Sequence, residues 1–153
     1  MSGEAAGDQH GAGTGIGSGG AAGSPSALPR SSADARAAVL ALLERRFCAP
    51  AADWRETVVV ADVLLVTSEL VTNADRHGGG LTRFTVEIDG DALRLCVGDA
   101  SPEPPVSPSG PDAAEGVPRI GGYGWQMVCR LAHEVTVVTH RAGKTISVVL
   151  TLV

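Results

Sequence analysis

The sequence predicts an α+β fold: a two-layer α/β sandwich with a mixed, mostly antiparallel sheet and its helices on one face. Three observations carry this expectation. Two long stretches with helical apolar spacing come first, at 35–47 and 57–77. Strand-like runs then occur in pairs around short turns, 83–88 with 92–97 and 135–139 with 145–152. A short helical stretch, 123–132, separates the two pairs, so helices and hairpins are segregated.

Each element has its own signal. Ser31 and Asp34 have capping-box-like spacing, and Val39, Leu42 and Leu43 give the first helix its apolar stripe. Asp53 and Glu56, three residues apart, form a second start signal. The run 57–77 is then apolar almost all round, which predicts a central buried helix ending at Gly78. Val58, Val59 and Val60 alone would suit a strand; length and the capped ends favour helix. Asp89-Gly90-Asp91 between alternating runs is a hairpin cue, and 141–144 supplies the second turn. From 100 to 122 the chain is rich in Pro, Ser and Gly without periodicity, and a loop of that length is functional or disordered.

Composition bounds the function. Residues 1–30 hold nine of the twenty glycines and almost no large apolar side chain. They cannot bury enough surface to offset the entropy of ordering, so a disordered Gly/Ala/Ser-rich tail is expected, with the domain at 31–153. Net charge is −5, and the eleven arginines and single lysine are scattered. No basic stripe supports direct nucleic-acid binding. Apolar runs are too short for a membrane span, and the N-terminus lacks a secretory pattern, so a cytoplasmic protein is expected. Cys48, Cys96 and Cys129 lack CxxC spacing and are expected to be buried reduced thiols.

Some patterns mislead. The GxGxG pattern within 11–20 has no strand before it and no helix after it, as a dinucleotide fingerprint requires. Gly143-Lys144-Thr145 resembles the end of a phosphate-binding loop, but Val138 occupies the position of its first glycine and a strand follows. His133 and Glu134 lack a second His at metal spacing, so no zinc site is assigned.

Three segments have chemistry that fits one ligand. In Ser68-Glu69-Leu70-Val71-Thr72-Asn73-Ala74, Glu69 and Asn73 are i and i+4 on one helical face, with Asp62 projecting similarly. A carboxylate beside an amide oxygen suits a hard cation such as Mg²⁺ that keeps waters and bridges phosphates; an ordinary polar stripe is the plain alternative. In Val97-Gly98-Asp99-Ala100-Ser101, Asp99 ends a strand and can accept from an exocyclic amine, or simply form a turn. Gly121-Gly122-Tyr123-Gly124-Trp125 runs into a helix, where glycines and the helix N-terminus suit a phosphate, or a hinge.

In this order, around a long loop, the three resemble the nucleotide-binding boxes of the Bergerat-fold (GHKL-type) ATPases, which include gyrases and histidine kinases. The closer resemblance is to the bacterial anti-sigma factor serine/threonine kinases and their actinobacterial single-domain relatives. Their recurring string is SELVTNAxRHG, DxSPxxP, GGxGL and a final GKT. Here these stand at 68–78 with Asp75 in the variable slot, at 99–105, at 121–125 and at 143–145. The resemblance spans roughly 53 to the C-terminus. It departs where Trp125 replaces a usual Leu and Tyr123 an Arg, with Arg119 near enough in sequence to substitute. The strand that usually precedes the first helix, part of the family's dimer contact, is reduced to about 27–30.

The resemblance implies an ATP- and Mg²⁺-binding domain. By it, Asn73 coordinates Mg²⁺ and Glu69 orients or deprotonates the attacking hydroxyl. Asp99 holds the adenine amine with Thr145 beside it through a water, Ser101 belongs to the same box, Gly122 and Gly124 contact phosphates, and 101–120 forms a lid. It further implies a protein kinase acting on an anti-anti-sigma-type partner, with a sigma factor and homodimerisation as further possibilities. A non-catalytic ATP-gated protein-binding switch and a detached histidine-kinase-like ATPase module are the alternatives.

Overall fold

The computed structural model describes residues 27–47, 57–105 and 123–153. Helices α1 (Ser32–Phe47) and α2 (Val58–His77) are followed by strands β1 (Leu81–Asp89) and β2 (Ala92–Asp99). Helix α3 (Tyr123–Leu131) and strands β3 (Glu134–His140) and β4 (Gly143–Thr151) complete the order. The sheet runs β1-β2-β4-β3, and every pairing is antiparallel. The expected mixed sheet is therefore corrected to an antiparallel one among the described residues. Its two hairpins join by their β2 and β4 edges, and β2 and β3, which run the same way, are kept apart by β4.

Alternation on the strands decides which side chains meet the helices. Phe84 on β1, Leu93, Leu95 and Val97 on β2, and Ile146, Val148 and Leu150 on β4 are buried against Val39 and Leu43 of α1 and Val63, Val66, Leu70 and Val71 of α2. The opposite sheet face is more open, and there Cys96 Sγ and Ser147 Oγ lie 3.2 Å apart.

Helix α2 begins at Thr57, whose extended backbone and side-chain oxygen cap the Val60 N–H at 3.3 Å. Asp53 and Glu56 lie outside the described residues. The β-branched residues are accommodated because they pack: Thr67 is fully buried and its hydroxyl donates to the Val63 carbonyl at 2.7 Å, leaving no orphaned polar group. The expectation of burial all round is corrected, since Val58 is 75% exposed and Leu65 37%. Among the described residues, no further layer packs on the outer side of α2, where Val58 and Leu65 lie. Gly78 closes the helix by donating to the Asn73 and Ala74 carbonyls, both at 3.1 Å.

Every strand runs longer than its apolar pattern, and two of them lengthen at the site. β2 reaches Asp99, and β4 starts at Gly143, because Gly98 pairs with Thr145, Asp99 with Lys144 and His140 with Gly143 across the sheet. The first turn is Gly90-Asp91, with Gly90 at φ 58° as a two-residue hairpin connection requires. Residues 27–30 form no strand. The tail expected over 1–30 lies outside the described residues apart from its last four. Cys48 also lies outside them. Cys96 is half-buried and Cys129 exposed, which corrects the buried-thiol expectation: on α3 it is Val128 that faces the core.

Candidate functional site

The C-terminal half of α2, the ends of β2 and β4 that meet each other, and the start of α3 converge. Asp99 is the deepest polar group there. It is 5% exposed, and Lys144 on the paired strand is 7% exposed. The Lys144 ammonium donates to both carboxylate oxygens, at 3.0 Å to Oδ1 and 2.8 Å to Oδ2. The Ser101 N–H donates to Oδ1 at 2.9 Å, turning the chain out of β2, and Lys144 Nζ also reaches the Ser101 carbonyl at 3.3 Å.

Two glycines make room for this pair. A methyl group on Gly78 would stand 2.6 Å from Asp99 Oδ2 and 2.5 Å from its Cβ. One on Gly143 would press on the Asp99 carbonyl and approach the Ala100 Cα at 3.1 Å. Gly143 also sits at φ 153°, where a side chain adds strain. The helix end, the strand end and the hairpin therefore interlock at Asp99.

Glu69 and Asn73 are half-buried on α2, and their side chains form no hydrogen bond or ion pair among the described residues. Asp62, also half-buried, lies farther toward the helix start. Gly124, in the first turn of α3, abuts the Glu69 carboxylate: a Cβ there would overlap Oε2 and come within 2.8 Å of Cδ. Arg36 of α1 donates to the Ser68 hydroxyl at 3.0 Å, tying the first helix to α2 beside Glu69. Trp125 packs half-buried against the core, while Tyr123 is exposed.

The expected site residues thus divide. Glu69 and Gly124 meet at one end, Asp99 and Ser101 stand at the other, and Asn73 lies between them on α2. Ser101 serves there through its backbone, while its hydroxyl accepts from the Glu103 N–H at 3.3 Å. Gly122 and most of the expected lid, beyond residue 105, lie outside the described residues. Thr145 is not brought to Asp99. It pairs opposite Gly98, and alternation along β4 sends it to the face of Ser147 and Cys96, away from the helices. Lys144 stands beside Asp99 in its place. Sequence reasoning set Lys144 aside with the false phosphate loop. The signal that finds it is parity: Lys144 shares its strand face with Ile146, Val148 and Leu150.

No three His, Cys, Asp or Glu side chains gather as a metal site among the described residues. A cation near Glu69 and Asn73 would take one or two protein oxygens and complete its shell with water and phosphate, the habit of Mg²⁺. A deep carboxylate at one end and free oxygen ligands beside a helix N-terminus at the other fit the two ends of Mg-ATP. No helix among the described residues is long and apolar enough to cross a membrane.

No curated protein matches the chain significantly. A family model described as the histidine kinase-like ATPase domain matches residues 26–150. That span takes in every described strand and helix that forms the site, and the chain belongs to the histidine kinase-like ATPase domain family, whose members bind ATP, usually with Mg²⁺.

Proposed function

We propose that this domain is an ATP-dependent protein serine/threonine kinase and regulatory binding partner of the anti-sigma factor kind, with an anti-anti-sigma-type protein as its substrate. The observation that carries the reading is Glu69 set against Gly124, a carboxylate on the Asn73 helix at the point where the α3 N-terminus begins. Phosphoryl transfer needs positioning and charge neutralisation more than covalent chemistry, so few groups suffice. Bound Mg-ATP supplies the phosphoryl group and the cation that offsets its charge. Asp99 accepts the exocyclic amine and fixes the base. Asn73 offers its amide oxygen to the cation. Gly124 leaves the α3 N-terminal N–H groups open to phosphate oxygens. Glu69 orients the partner's serine or threonine hydroxyl and takes its proton.

The test is transfer from labelled ATP to anti-anti-sigma-type proteins encoded nearby. Asn73→Ala is expected to lose nucleotide binding. Glu69→Gln is expected to keep it while transfer falls by about 10²–10⁴, the usual worth of a general base. A second reading, an ATP-gated binding switch without transfer, is favoured by Lys144, which joins the base site to the Ser101 carbonyl at the root of the long loop. It prevails if the parent and Glu69→Gln give the same trace of phosphorylation while ATP still changes partner affinity.

A further inference from the structure

The Asp99 carboxylate offers about four acceptor positions, two on each oxygen. Oδ1 already receives the Ser101 N–H and the Lys144 ammonium. Oδ2 receives only Lys144, at 2.8 Å. One position therefore remains, on Oδ2, the oxygen packed against Gly78 at the end of α2. The ammonium is turned toward the two carboxylate oxygens and the Ser101 carbonyl. Lys144 is itself buried, so it acts on the carboxylate.

We infer that Lys144 is a positioning residue for base recognition: it locks the Asp99 carboxylate so that its single open acceptor on Oδ2 faces an exocyclic amine. The inference rests on the nucleotide reading above and gives that site a determinant outside its expected residue set. Without the clamp the carboxylate can rotate or turn toward solvent, and the open acceptor loses its direction. With it, a 6-amino purine is matched, whereas a 6-oxo purine would place an acceptor against an acceptor. Because the clamp also holds Ser101, the base site and the start of the long loop share one cation.

The experiment compares ATP with purine riboside triphosphate, in which hydrogen replaces the amine. The parent is expected to prefer ATP by about tenfold or more, the worth of a hydrogen bond to a charged group. Lys144→Met is expected to bind both nucleotides with nearly equal affinity, close to that of the parent for the analogue. Removing one partner of a buried pair can also prevent folding, so a second measurement uses the unmutated protein. Lys144 is the chain's only lysine, and ¹⁵N-lysine labelling gives a single side-chain ammonium resonance. ATP should shift that resonance well beyond the shift caused by the analogue. The proposal is overturned if Lys144→Met keeps the parent's preference, if it binds ATP more tightly, or if both nucleotides move the resonance equally. A parent that binds both nucleotides alike also overturns it, whereas a parent that binds neither refutes the nucleotide reading itself.

Discussion

Gly78→Ala places one methyl group where the helix end meets the buried carboxylate, and the structure allows its effect to be worked out. Gly78 has φ −96° and ψ 1°, which alanine adopts without backbone strain. The whole penalty therefore comes from contact. The new Cβ would stand 2.5 Å from Asp99 Cβ and 2.6 Å from Oδ2, about 1 Å inside ordinary contact. Asp99 cannot simply swing aside. It is held by Lys144 at 2.8 and 3.0 Å and by the Ser101 N–H at 2.9 Å. Breaking a buried ion pair costs about 3–5 kcal/mol. Shifting the helix end instead is an overpacking adjustment of about 1–3 kcal/mol, so the helix end should yield first. Replacing Gly by Ala returns about 0.4–1 kcal/mol through the unfolded chain. The net expectation is a loss of about 1–2 kcal/mol, or roughly 3–10 °C in Tm for a domain of this size. Urea denaturation measures the loss, and calorimetry measures ATP against purine riboside triphosphate. Discrimination should fall too, because the methyl group crowds Oδ2, the oxygen that carries the acceptor left for the amine. Gly80→Ala is the control. Its φ of 112° strains the backbone, but its Cβ meets nothing within 4 Å, so stability should drop while discrimination persists. A Gly78→Ala protein as stable as the parent, with discrimination intact, would refute the reasoning.

Gly124→Ala should act differently, because its methyl group meets the far end of a half-buried glutamate with no clamp on it. Stability should change by less than about 1 kcal/mol as Glu69 turns away, while transfer to the partner falls at least tenfold; unchanged transfer at saturating ATP would remove Glu69 from the mechanism. Thr57→Ala removes the N-cap of α2 and should cost about 1 kcal/mol in urea denaturation. ATP affinity should be preserved, since the cap lies at the opposite end of the helix from Gly78, and a parallel loss of affinity would contradict that separation.

The element order was legible because each helix and hairpin carried local signals: the Gly90 turn, the apolar periods and the closing Gly78. What the sequence hid was long-range. The last two residues of β2 and the first two of β4 have no apolar pattern, and pairing across the sheet, with each other and with β1 and β3, makes them strand. That pairing chooses Lys144 over Thr145 as the neighbour of Asp99, although the motif string draws attention to the threonine. The contact of Gly124 with Glu69 is equally non-local, since it joins residues more than fifty positions apart. The exposed side of α2 was missed because an apolar run does not reveal how many layers will cover it.

One helix orders the whole site, and its polarity constrains how a nucleotide lies. Gly78 touches Asp99 at the C-terminal end of α2, and Glu69 touches Gly124 nine residues earlier, about 13 Å along the axis by helical rise. Asn73 lies between them. The C-terminal end of α2 carries negative partial charge and disfavours phosphate, whereas the α3 N-terminus at Gly124 carries positive partial charge and attracts it. On the proposed reading the base therefore lies at Asp99, and the phosphates run back along α2 past Asn73 toward Glu69. The reverse orientation would set phosphate oxygens against both the helix C-terminus and the Asp99 carboxylate. It would also leave the exocyclic amine beside the N–H groups of α3, donor against donor. Helix dipoles, the buried carboxylate and the two close glycine contacts thus favour the same direction, and on the proposed kinase reading that direction puts Glu69 at the phosphate end, where a partner's hydroxyl would approach.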